Sequence, residues 1–140
     1  MRKHLPFVFA SLFLVAGSLQ AQTVTMRVDI PFDFVVGKAI MHAGTYTIKP
    51  MNTEKSVLEL QSFDFKNSVF LGPGILTSDR APHENELVFQ VSDGQYFLWQ
   101  IWTQDSEEGR ELSIKRPTTQ EANAAPPHTV VVAAVVASRD

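Results

Sequence analysis

From residue 23 onward, apolar and polar side chains alternate with a period of two, the repeat of a strand rather than of a helix. Val24, Met26, Val28 and Ile30 alternate with Thr23, Thr25, Arg27 and Asp29. Pro31 then removes a backbone donor, which belongs at a strand edge, a bulge or a change of partner. Phe32 and Phe34 resume the alternation around Asp33. The pattern predicts one long strand that bends at Pro31 and runs on to Val36. Gly37 begins a turn, Ala39 to Met41 is a short strand, and His42-Ala43-Gly44 is a second turn. Thr45 to Lys49 follows as a strand, with Tyr46 and Ile48 on one face and Thr45, Thr47 and Lys49 on the other.

The same period continues. Val57 to Phe63 reads as a strand, with Leu58, Leu60 and Ser62 on one face. Val69 to Leu71 leads into Gly72-Pro73-Gly74, a strong breaker, and Ile75 to Thr77 is a short strand. Residues 78–86, SDRAPHENE, form the longest polar loop. Leu87 to Val91 alternates again. Asp93-Gly94 between two strand-like runs is a hairpin signal. Tyr96 to Trp102, YFLWQIW, is apolar on both faces, which predicts a central strand. Strict alternation puts Phe97, Trp99 and Ile101 on one face, and Tyr96, Leu98, Gln100 and Trp102 on the other. An acidic turn over 104–109 precedes a short strand over 111–114. Residues 117–125 suit one or two helical turns capped by Thr118 or Thr119. Residues 129–137, TVVVAAVVA, are valine-rich and read as a final strand, at an edge or closing the sheet, or as a tail.

Eight or so short strands with frequent turns predict an all-β fold: a single antiparallel β-sandwich or small barrel. The domain is expected over residues 22–116. Residues 117–140 form a Pro/Ala-rich segment ending in the strand over 129–137.

The first twenty-one residues break the pattern. Arg2 and Lys3 precede an apolar run, LPFVFASLFLV, and then small residues, the layout of a cleaved signal peptide over 1–21. Cleavage after Ala21 puts strand-like sequence directly behind the cut, whereas cleavage after Ser18 sets the small Ala16 three residues before it. The run is shorter than the ~20 residues of a membrane span. The chain is therefore expected to be exported, to the periplasm or beyond. Without Arg2 and Lys3, 10 basic residues face 15 acidic ones, a net charge of −5. That argues against a nucleic-acid partner and against electrostatic attachment to anionic lipid. With no cysteine among its 140 residues, an exported chain must rest on packing and hydrogen bonds.

Ile30-Pro31-Phe32-Asp33-Phe34-Val35-Val36-Gly37, followed by Ala43-Gly44-Thr45-Tyr46-Thr47, resembles a group of small secreted proteins common in acidobacterial genomes. The likeness continues through Leu87-Val88-Phe89, Asp93-Gly94, Tyr96-Phe97-Leu98 with Trp102, and Gly109-Arg110-Glu111-Leu112, and so spans about residues 27–114. His42 stands where the group has proline, and Ser113-Ile114 where a proline often follows Glu-Leu. The resemblance implies an exported all-β domain and brings no activity with it.

Candidate chemistry is sparse. His83, Glu84 and Glu86 lie near Asp79, but the second histidine of an H-E-x-x-H zinc site is absent. Asp105, Glu107, Glu108 and Glu111 lack the calcium-loop pattern. There is no G-x-S-x-G elbow, and Gly72-Pro73-Gly74 lacks the lysine or threonine of a phosphate loop. No metal, cofactor or enzymatic activity is expected. The aromatic segment supplies candidate binding residues, Tyr96, Trp99 and Trp102, set against the commoner fate of strand aromatics, which is core packing. Asp33, between two phenylalanines, is read as a structural acceptor at the bend. The leading expectation is an exported structural or interaction module with an envelope or extracellular partner. The alternative is a small-molecule or glycan-binding barrel that uses its mouth or an aromatic face.

Overall fold

The structure is a computed structural model, described for residues 25–114 and 127–137. The expected signal peptide over 1–21 and helical turns over 117–125 lie outside these residues. The fold is all-β, as the alternation predicts. Among the described residues eleven strands run in chain order: β1 (Met26–Ile30), β2 (Phe34–Val36), β3 (Ala39–Met41), β4 (Gly44–Pro50), β5 (Leu58–Ser62), β6 (Ser68–Leu71), β7 (Ile75–Thr77), β8 (Asn85–Ser92), β9 (Gln95–Trp102), β10 (Glu108–Glu111) and β11 (His128–Val136). Nine follow the order β3-β2-β9-β8-β11-β1-β4-β5-β6 in a nearly closed barrel, and β10 pairs with β9 and β7 off that path. Among the described residues, no helix is long and apolar enough to cross a membrane.

Residues 26–50 form one long hairpin folded back on itself. Its first half pairs β1 with β4, ending at Ile30 opposite Gly44; its second half pairs β2 with β3, starting at Phe34 opposite Met41. Pro31, Phe32 and Asp33 on one arm therefore face only His42 and Ala43 on the other. The longer arm takes the outside of a bend. The bend carries β2 into the second sheet, where it lies parallel to β9, with Phe34 opposite Tyr96. No short turn links β2 to β9, so nothing forces that pair to be antiparallel.

The valine-rich final strand lies in the middle of the sheet. β11 pairs with β8 along seven positions and with β1 at its end, and so joins the two sheets. On the opposite side the chain itself makes the join, turning from β6 through Gly72-Pro73-Gly74 into β7, which pairs with β10. The Asp93-Gly94 hairpin forms as expected: both residues adopt positive φ, 52° and 74°, and Ser92 pairs with Gln95. The strand expected at 111–114 sits earlier, at Glu108–Glu111.

Strand β9 carries the main departure from simple alternation. Val88 and Phe89 are neighbours on β8, yet they pair with Gln100 and Leu98. Trp99 is the extra residue of a β-bulge. The bulge reverses which side chains face inward. Tyr96 and Leu98 face the core before it and Ile101 after it, so Trp102 faces outward beside Glu86.

The core fills the barrel. Phe34, Phe89, Ile30, Ile48, Leu60, Leu87, Leu98 and Val28 are each under 2% exposed, and each contributes about 1.5–3 kcal/mol of burial free energy. One end is packed with aromatics. Phe32 stacks on Tyr96 at 3.8 Å, and Phe32 and Phe34 both meet Phe89 edge-on. Phe34 also meets Tyr46 edge-on. Phe34 is thus fully enclosed and Phe32 packs partly buried against the core.

Candidate functional site

The end of the barrel away from this aromatic cluster is open. Met26 at the start of β1, Ile48 on β4, Leu58 on β5 and Ile101 on β9 make the apolar floor of a cleft of about 540 Å³. Each takes an inward slot of its strand's alternation. The rim is polar and comes from the loops: Glu54, Lys55 and Ser56 between β4 and β5, Thr103 and Ser106 between β9 and β10, and Glu108 on β10.

Arg110 spans this mouth. It pairs with Ile101 across β9, so its side chain starts from the inner face. Its Nη1 donates to the Ser56 carbonyl at 2.8 Å and to the Gly72 carbonyl, and its Nη2 donates to the Lys55 carbonyl. One guanidinium thus ties β10 to the β4–β5 loop and to the β6–β7 corner. Lysine could not match that fork with its compact ammonium. Burial pulls the Arg110 pKa below the ordinary arginine value, and the three carbonyl dipoles offset the desolvation of its charge. Sequence reading passed over Arg110, which appeared only as part of a Gly-Arg-Glu-Leu stretch. A lone arginine between polar neighbours carries no local signal of a role made by loops more than 35 residues away.

The three aromatic candidates do not share a face. Tyr96 is half-buried inside the barrel against Phe32. Trp99 lies at the bulge, where its Nε1 donates to Glu111 Oε1 at 2.9 Å. Trp102 is on the outer wall, its Nε1 donating to Gln100 Oε1 at 3.0 Å. Its strand partner on β10 is Gly109. A Cβ built on Gly109 would stand 2.6 to 2.8 Å from three atoms of the indole's six-membered ring. The ring therefore lies flat on the glycine backbone, the cross-strand cover by which an aromatic protects a strand glycine.

Two residues that alternation left unexplained meet at the bend of the long hairpin. Asp33 Oδ1 accepts the Ala43 N–H at 2.8 Å, and His42 Nδ1 stands 3.7 Å from Asp33 Oδ2. Below them the Tyr46 hydroxyl donates to the His42 carbonyl at 2.5 Å. Desolvation pushes the Tyr46 pKa up, and the charges of Asp64 and Asp33 add to it. This corner is architecture: its groups bond to one another across the bend.

Among the described residues, no group of three or more His, Asp or Glu is placed to hold a metal ion. No family model matches the chain, and no curated protein or solved structure matches it either.

Proposed function

We propose that this chain is an exported, non-catalytic binding module, a small β-barrel that takes an apolar or amphiphilic small molecule in the cleft at its open end. The observation that carries the reading is the cleft itself. Its volume of about 540 Å³ falls within the ~300–1,000 Å³ of small-molecule sites. An apolar floor under a rim that bears Arg110, Lys55, Glu54 and Glu108 suits a ligand with a hydrocarbon body and a polar head.

The test is displacement of a fluorescent apolar probe by a medium-chain fatty acid, with the wild-type chain and with Met26→Trp, which fills the floor. Wild-type binding that is lost in a folded Met26→Trp variant supports the cleft. An absence of wild-type binding, or equal binding by both proteins, sinks it.

A second reading, an interaction module that docks on an envelope or extracellular partner, is favoured by the β5–β6 hairpin. Phe65 and Phe70 are 76% and 62% exposed there. Asp64 Oδ1 accepts the Ser62 hydroxyl and the Lys66 N–H, which holds Phe65 outward at the turn. The Ser62 hydroxyl, and then the Lys66 N–H, keep the Asp64 carboxyl below its usual range. Replacing both phenylalanines with serine would release the protein from envelope fractions under this reading and leave fatty-acid displacement untouched.

A further inference from the structure

The outer wall holds a second cleft, lined by none of the residues that line the mouth. Glu86, Trp102 and Gly109 form a row across β8, β9 and β10. Gly109 lets the indole lie flat, and the Gln100 side chain fixes its Nε1 edge. Trp102 is one wall of a cleft of about 480 Å³; the others carry Arg80, His83, Glu84 and Glu86, with Pro82 and Ser78 between them.

The polar loop that supplies these groups is pinned at its base. The Ser78 N–H donates to the Glu107 carbonyl at 2.9 Å, and the Asp105 N–H donates to the Pro82 carbonyl at 3.0 Å. Asn85, 3% exposed, accepts the Gln104 N–H at 2.9 Å. The longest polar loop of the sequence and the tryptophan at the end of β9 are thus parts of one surface.

We propose that this cleft is a saccharide-binding site for a neutral, hydroxyl-rich sugar. The apolar C–H face of a pyranose matches a fixed, flat indole. Carboxylates of Glu84 and Glu86 accept from adjacent hydroxyls and Arg80 donates to hydroxyl or ring oxygens, these as charge-assisted bonds, and a ring N–H of His83 donates as well. A plain hydrocarbon would strand those charged groups without partners. A polyphosphate would face two carboxylates. A sugar hydroxyl both donates and accepts, and so satisfies both signs at once. This site stands independently of the mouth reading.

The chain has two tryptophans, so Trp99→Phe leaves Trp102 as the sole reporter without touching the cleft. Cellotriose and chitotriose titrated into that variant should give a saturable fluorescence change. Calorimetry on the wild-type chain with the same sugars should then show binding weakened about fivefold by Glu86→Gln, as a charge-assisted acceptor becomes a neutral one, and by His83→Ala in the same direction. Met26→Trp, which blocks the mouth, should leave sugar affinity unchanged. A flat titration with both sugars overturns the proposal. So does binding that survives Glu86→Gln and His83→Ala undiminished, because the sugar would then lie elsewhere. Neither residue belongs to the buried core, so both variants should keep the fold, which melting curves check.

Discussion

Gly74 and Gly109 are needed for what lies against them. At Gly109 the neighbour is the Trp102 ring, a surface side chain that can tilt. At Gly74 it is the carbonyl oxygen of Glu111, part of the backbone, whose N–H in turn donates to the Gly74 carbonyl at 3.2 Å. Alanine in a strand ordinarily gains about 0.5–1 kcal/mol over glycine. Here the clash outweighs that gain at both sites, and by different amounts. Gly109→Ala should cost about 1 kcal/mol net, and Gly74→Ala about 2–3 kcal/mol, because backbone cannot step aside. Urea denaturation of the two variants checks the order. Equal stabilities, or a stabilised Gly74→Ala, would show that the close approach at the β6–β7 corner is looser than described.

Among the elements, the folded hairpin over 26–50 does the most to shape the molecule, and Asp33 is its pivot. Pro31 interrupts the ladder, and the Asp33 carboxylate supplies an acceptor for the Ala43 N–H that the missing rung leaves over. The nearby His42 contributes little. Its pairing is 3.7 Å long between side chains 80% and 67% exposed, the class of ion pair that adds between nothing and about 1 kcal/mol. Asp33→Ala should therefore destabilise by about 1 kcal/mol, Asp33→Asn should keep most of that as the amide oxygen accepts the same bond, and His42→Ala should be nearly neutral. Chemical denaturation separates these cases. If Asp33→Asn behaves like Asp33→Ala, charge rather than the hydrogen bond governs the corner.

At the scale of the whole molecule the barrel is closed in two unlike ways. On one side β11 closes it with a continuous ladder between β8 and β1. On the other the seam between β6 and β10 depends on a chain corner and on the fork of Arg110. The second closure is the weaker, since it has one side chain in place of a row of backbone bonds, and it borders the cleft. Arg110→Lys should lower stability by about 1–2 kcal/mol, the value of charged hydrogen bonds reduced for partial exposure. Amide exchange should rise locally, at Met51, whose N–H donates to the Val57 carbonyl, and at Glu111, while β8 and β11 stay protected. Uniform acceleration across all strands would instead mark Arg110 as part of the global core.

Period-two alternation, turn chemistry and the breakers at Pro31 and Gly72-Pro73-Gly74 determined, from sequence alone, the all-β class, nearly every strand and most of the inward residues. These are local properties: a side chain's solubility and its neighbour's geometry decide them. The bulge at Trp99 was not legible, because the extra residue is defined only by its partner strand; it turned Trp102 to the outer wall and separated it from Tyr96. The strand at 108–111 came earlier than alternation implied, because Gly109 pairs there under the Trp102 ring, and an acidic turn conceals that. The role of Arg110, the bond between Asp33 and Ala43, and the meeting of Trp102 with His83 and Glu86 likewise depend on residues distant in the chain. Tertiary structure decided them because burial alternates along one strand, while a cleft is built between several.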